Sequence, residues 1–181
     1  MFNTDPKILH RMKLRLQRVL VVDPTPAAAR LMGDLLKEMG ARQVVTAART
    51  DAALAICHDF DPQLVVVEFA GPELDGLDFT SRLRRSPMAC RQAPVIMVTA
   101  EATAASIVGA RNAGVHEFLR KPYTAGDLFR RVENVTCKSR PWIEAVMYVG
   151  PDRRRFNSGE FAGAKKRRSD AYLAESAGKA G

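Results

Sequence analysis

Between residues 18 and 137 the chain alternates short, wholly apolar runs with longer stretches of helical period. The runs are Arg18–Asp23 (RVLVVD), Gln43–Thr46, Leu64–Val67, Val95–Val98 and, more weakly, Glu117–Leu119. None alternates apolar with polar positions, which is the pattern of parallel strands covered on both faces. Between the runs lie helices. Thr25-Pro26 reads as a cap followed by a first-turn proline. Leu31, Leu35, Leu36 and Met39 then form one apolar stripe, stopped by Gly40. Thr50 is placed to cap a helix carrying Ala53, Leu54 and Cys57. Leu77–Leu83 and Ala102–Ala113 supply two more, the second closed by Gly114. Thr124-x-x-Asp127 resembles a capping box ahead of Leu128, Val132 and Val135. The stretch Ser86–Arg91 reads as a loop without a motif. Five strand–helix units predict right-handed crossovers and a doubly wound α/β sheet.

In such sheets ligands and chemistry gather at the carboxyl ends of the strands. Asp23 and Pro24 follow the first strand, and Glu68 the third, ahead of Ala70, Pro72, Asp75 and Gly76. Thr99 follows the fourth strand, and Lys121-Pro122 the fifth. Carboxylates, a hydroxyl and an ammonium on one rim can hold a phosphoryl group and a hard divalent cation.

The segments VLVVD, LVVVEFAGPELDG, VIMVTAEAT and AGVHEFLRKPYT, in this order and spacing, resemble the bacterial response-regulator receiver (CheY-like) family over residues 18–137. The resemblance implies a flavodoxin-like fold with a five-stranded parallel sheet, and a non-enzymatic signalling role in a two-component phosphorelay. It implies that Thr99 is the switch hydroxyl, Lys121 the phosphoryl-binding ammonium and Phe118 the switch aromatic, although Phe118 reads equally well as a core residue. Lys121-Pro122 matches the family's cis peptide, and the carbonyl of Ala70 its backbone metal ligand.

Two positions depart from the family. Glu68 stands where the phosphate-accepting Asp is expected, and Pro24 replaces the second acid of the pair that holds Mg²⁺. Phosphoryl transfer tolerates misplacement poorly, about 10²-fold for an error near 1 Å. No cofactor is therefore expected, and no Mg²⁺ at the remnant set of Asp23, Glu68 and the Ala70 carbonyl. Glu68 is expected to pair with Lys121 and accept from Thr99, imitating the phosphorylated state. A dead site kept as core and residual phosphorylation on Glu68 or Asp23 remain the other readings.

Residues 1–17 and 138–181 flank this domain. Ile8, Met12 and Leu16 recur at helical spacing, so residues 1–17 read as a basic helix that docks on the domain or lies on a membrane surface. Arg140–Val149 reads as a strand or anchor. The net charge is +8 at pH 7. Residues 1–18 carry five basic groups against one acidic, and residues 138–181 ten against five, so the body is near neutral. The clusters Arg153, Arg154, Arg155 and Lys165, Lys166, Arg167, Arg168 form an arginine-rich, partly disordered tail, with Phe156 and Phe161 between them. Arginine forks beside aromatic faces suit a cyclic dinucleotide, with a loose likeness to the tails of some CheY-like cyclic-di-GMP effectors. They equally suit nucleic acid or an acidic protein face.

No apolar run reaches the roughly 18–20 residues of a membrane span. The three cysteines, Cys57, Cys90 and Cys137, are far apart and suit a reducing compartment, so the protein is expected to be cytoplasmic. His10, His58 and His116 form no metal-ligand spacing. The implied partners are signalling proteins, a histidine kinase or a motor or regulatory protein. The implied output surface, or homodimer surface, is the fourth helix, fifth strand and fifth helix of the domain, with Ile107, Arg111, Asp127, Arg130 and Arg131.

Overall fold

In the computed structural model, residues 5–100, 102–138 and 140–153 are described. The helix α1 (Pro6–Arg15) leads into β1 (Arg18–Val22), α2 (Pro26–Glu38), β2 (Gln43–Ala47), α3 (Thr50–Phe60) and β3 (Leu64–Glu68). Two short segments, β4 (Ala70–Gly71) and β5 (Leu74–Asp75), pair with each other ahead of α4 (Gly76–Arg85). Then come β6 (Val95–Thr99), α5 (Ala104–Ala113), β7 (Glu117–Arg120) and α6 (Ala125–Cys137), and finally β8 (Trp142–Ala145) and β9 (Tyr148–Pro151).

Five strands form one parallel sheet in the order β2-β1-β3-β6-β7. This is the flavodoxin-like doubly wound arrangement expected from the sequence. Successive side chains of a strand point to opposite faces. Val19 and Val21 of β1 join a core with Leu36 of α2 and Leu128 and Val132 of α6. Leu20 and Val22 join another with Leu54 of α3, Phe79 and Leu83 of α4 and Ala110 of α5. Both faces are dry, which is why the strands read as unbroken apolar runs.

The extensions pack on this body. Met12 and Leu16 of the α1 segment are fully buried in the first core, beside Leu36 and Val132. The expected apolar stripe thus docks on the domain, and the membrane-surface alternative loses its apolar face. Residues 142–151 form an antiparallel hairpin over the ends of α4 and α5. Gly150 permits its approach: a Cβ there would lie 2.9 Å from the Cα of Gly114.

Thr25 and Pro26 take the expected N-cap and first-turn places of α2, but Thr25 makes no side-chain cap bond; its own N–H donates to Asp23 Oδ1 at 2.8 Å. Two local expectations are corrected. Thr50 is the first residue of α3 and not its cap, because its hydroxyl is taken by the N–H of Asp75 at 3.1 Å. The stretch before β6 contains a 3-10 helix, Ala89–Gln92, with Cys90 buried. The capping box of Thr124 and Asp127 is formed.

Beneath the hairpin lies a side chain that no sequence pattern singles out. Arg84 of α4 is 1 % exposed. Its guanidinium donates to the carbonyls of Gly114 (3.0 Å), Arg91 (2.6 Å) and Ala93 (2.9 Å) and sits 5.4 Å from the Trp142 ring. Burial lowers its pKa to about 10, which leaves it charged at neutral pH. An unpaired buried charge is costly, so three carbonyl dipoles and an aromatic face stand in for a counter-ion.

Two outcomes follow for stability. Arg84→Ala strands two buried carbonyls, of Gly114 and Ala93, at about 1–3 kcal/mol each, so urea denaturation should show a loss of at least about 2 kcal/mol. Arg84→Lys should recover only part, because an ammonium cannot reproduce the fork. His116 accepts from the N–H of Val95 at Nδ1 (3.3 Å), and its pKa is held well below 6.5 by burial, then by Arg84 and Arg140. The unfolded chain therefore takes up a proton that the folded chain refuses. Stability should fall as pH drops below about 6.5. His116→Asn should flatten that part of the pH–stability curve, and an unchanged slope would refute this role.

Candidate functional site

The strand order reverses at β1, so the crevice of the sheet opens between β1 and β3. Val22 lies beside Val67 in the register, which sets Asp23 next to Glu68. Thr99 pairs with Arg120, and its carbonyl accepts from the Lys121 N–H at 2.7 Å. Asp23, Glu68, Thr99 and Lys121 thus share one rim, as their positions after the strands predict.

Lys121 Nζ donates to Glu68 Oε2 at 2.5 Å and lies 3.7 Å from Asp23 Oδ2. The two carboxylate side chains are each 12 % exposed. Burial pushes the Glu68 carboxyl above the ordinary glutamate range, and the hydrogen bond from Lys121 only partly reverses this. Burial also works against the Lys121 ammonium, but the bond to Glu68 and the charges of Glu68 and Asp23 outweigh it and raise its pKa. Lys121 therefore stays charged, while Glu68 takes up a proton at a higher pH than an ordinary glutamate.

The gap bounded by Asp23, Met32, Glu68, Val98 and Tyr123 is about 10 Å³, the lower limit for one water. Thr99 is 3 % exposed. Phe118 of β7 is half-buried and packs against the second core. The Lys121–Pro122 peptide is cis. Tyr123 was not anticipated from the sequence. It is half-buried, and burial raises its pKa despite Lys121. Its place two residues beyond Lys121 on the same loop was the available signal.

The metal positions do not fit a hard cation. The ring of Pro24 packs against Gly71, where a Cβ would meet its Cγ at 2.4 Å. Asp23 is committed through Oδ1 to the N–H of Thr25, and Glu68 to Lys121. The residue holding the expected carbonyl ligand, Ala70, is drawn into the β4–β5 pairing with Asp75. Asp75 itself caps α4, accepting from Leu77 and Asp78. Pro72 is exposed and Gly76 buried at the start of α4. Among the described residues no group of three or more His, Cys, Asp or Glu is placed to hold a metal ion.

The surface of α5, β7 and α6 carries the other expected residues. Ile107 and Arg111 are exposed on α5. Arg130 pairs with Asp127, and Arg131 with Glu117 at 3.2 Å. In the tail, Arg153 lies 4.4 Å over the Tyr148 ring and donates to Asn112 Oδ1 at 2.8 Å. Arg154, Arg155, Lys165, Lys166, Arg167 and Arg168 lie outside the described residues. No described helix is long and apolar enough to cross a membrane.

Residues 19–133 match the family described as response regulator receiver domain. The chain is 30 % identical over 118 residues to the chemotaxis protein CheY of Pseudomonas aeruginosa, covering 65 % of this chain and 94 % of that protein. It is 29 % identical to chemotaxis protein CheY1 of Helicobacter pylori over 119 residues, 65 % of this chain and 95 % of the relative. Among solved structures, a CheY-like receiver domain protein from Methanospirillum hungatei superposes with a TM-score of 0.57 at 26 % identity, covering 66 % of this chain and 92 % of the other. The chemotaxis protein CheY4 of Vibrio cholerae superposes with a TM-score of 0.62 at 22 % identity, over 66 % and 98 %, and speaks for the fold alone. With the sheet order, the cis Lys121–Pro122 peptide and the shared rim of Asp23, Thr99 and Lys121 in place, this chain belongs to the response-regulator receiver family.

Proposed function

We propose that this receiver works without phosphorylation, as an adaptor that signals by protein contact. The observation that carries this reading is the 2.5 Å bond between Glu68 and Lys121. In a phosphorylated receiver, Lys121 would face an anion reaching out from the third strand. Glu68 is one methylene longer than the expected Asp and brings its own anion to that point. Pro24 stands where the second acid of the metal-holding pair would be. Thr99 is buried, and Phe118 packs against the second core. The output is assigned to α5, β7 and α6, where exposed Ile107, Val108 and Arg111 offer an apolar and basic face to a signalling partner. A second reading, tail binding of a cyclic dinucleotide or nucleic acid, draws on Arg153. Its contacts with Tyr148 and Asn112 start the basic stretch from a fixed point on the body.

Intact-mass measurement after incubation with a small acyl-phosphate donor and Mg²⁺ should leave this chain unchanged. Glu68→Asp alone should also remain unmodified, whereas Glu68→Asp combined with Pro24→Asp should gain a phosphoryl group. A mass gain in the unaltered chain would sink the proposal. Glu68→Ala removes a charge-assisted bond of about 1.5–3 kcal/mol, so amide exchange at Lys121 and Tyr123 should quicken about tenfold or more. Unchanged exchange would mean that the pair does not hold the rim. For the tail reading, calorimetric titration with a cyclic dinucleotide and a short DNA should show binding that Arg154→Ala with Arg155→Ala abolishes; no binding of either ligand removes it.

A further inference from the structure

The pole opposite Glu68 holds a second polar site that the receiver chemistry does not use. A cavity of about 430 Å³ opens there, walled by residues just before strands: Gln63 before β3, Pro94 before β6 and His116 before β7. The added segments close it, with Arg15 from the end of α1, Lys138 from the end of α6, and Arg140 and Trp142 from the approach to the hairpin. Arg18 and Asp61 complete the charged lining and satisfy each other at 2.8 Å.

That pairing leaves Arg15, Lys138 and Arg140 uncompensated. Among the described residues none of the three forms a salt bridge: Lys138 donates to Asn134 Oδ1, and Arg140 to the carbonyl of His116. His116 adds no negative charge, and buried Arg84 stands behind it at 3.3 Å. Arg15 ends α1 and Lys138 caps the C-terminus of α6, where partial negative charge favours one cation each. Helix ends do not account for Arg140, nor for three cations sharing one concavity.

Such an accumulation repels itself and becomes favourable when an anion neutralises it. The cavity volume lies in the range of small-ligand sites. Its wall joins guanidinium and ammonium donors to an indole, the pairing that grips phosphate and packs on a flat base.

We infer that this cavity binds a nucleoside phosphate, with Arg15, Lys138 and Arg140 on the phosphate and Trp142 against the base. The site is separate from the Glu68–Lys121 rim and does not require the tail beyond residue 153. It is therefore tested apart from both readings above.

Trp142 is the single tryptophan of the chain, so its emission reports on this wall directly. Titration of the full-length protein with AMP and GMP should change Trp142 fluorescence saturably. Adenosine should bind at least about tenfold more weakly, a difference of about 1.4 kcal/mol. Arg15→Glu with Lys138→Glu, both at exposed positions, should abolish the change while the thermal midpoint stays put. Arg154→Ser with Arg155→Ser should leave it intact. Absence of a saturable change with either nucleotide overturns the inference. So does an undiminished response in the charge-reversed protein, or its loss in the Arg154/Arg155 variant. Equal affinity for inorganic phosphate would overturn the nucleoside assignment.

Discussion

Burial of the parallel sheet on both faces is the constraint from which the rest of this molecule follows. Helices cover each side, so β1, β3 and β6 are dry along almost their whole length. A polar group cannot be set against either face without losing its hydrogen bonds. Chemistry is thereby confined to the two poles, where the strands end and the chain reaches water. The carboxyl pole carries Asp23, Glu68, Thr99 and Lys121; the amino pole carries Arg84, His116 and Arg140.

The two poles solve their charge problems differently. At the carboxyl pole an ammonium meets two carboxylates, and the longer one closes on it. Lys121 is only 32 % exposed, and Glu68 and Asp23 less than half that. A charge so far removed from water needs a partner, and a phosphoryl group or Glu68 can each serve. The Pro24 ring on Gly71 makes the same pole poor in metal ligands, so the two departures from the family act in one direction.

At the amino pole Arg18 pairs with Asp61 and Arg91 with Glu144, and further cations are left over. Arg84 is satisfied by the ends of its own body, through three carbonyls and the Trp142 ring. Arg15, Lys138 and Arg140 are not. The hairpin and α1, absent from the segments that match the family, convert a plain strand-end surface into a walled cavity.

Much of this was legible along the chain. Unbroken apolar runs spaced by helical stripes determined the doubly wound sheet, because strands buried on both faces tolerate no polar alternation. The residues after each run determined the carboxyl rim, because strand ends of such a sheet must converge there. Glu68 and Pro24 stood out only against the receiver family that the surrounding motifs resemble. Other features depend on distance through space, which sequence spacing does not encode. Tertiary packing took the Thr50 hydroxyl for Asp75 instead of for a cap. It brought Tyr123 to the gap beside Asp23 and Glu68 and buried Arg84 among carbonyls that lie seven, nine and thirty residues away. It also placed Arg15, Lys138 and Arg140 around one cavity. Local periodicity determined which residues enter the core; only the closed fold decided which charges meet, because electrostatic partners are chosen by proximity after the core has formed.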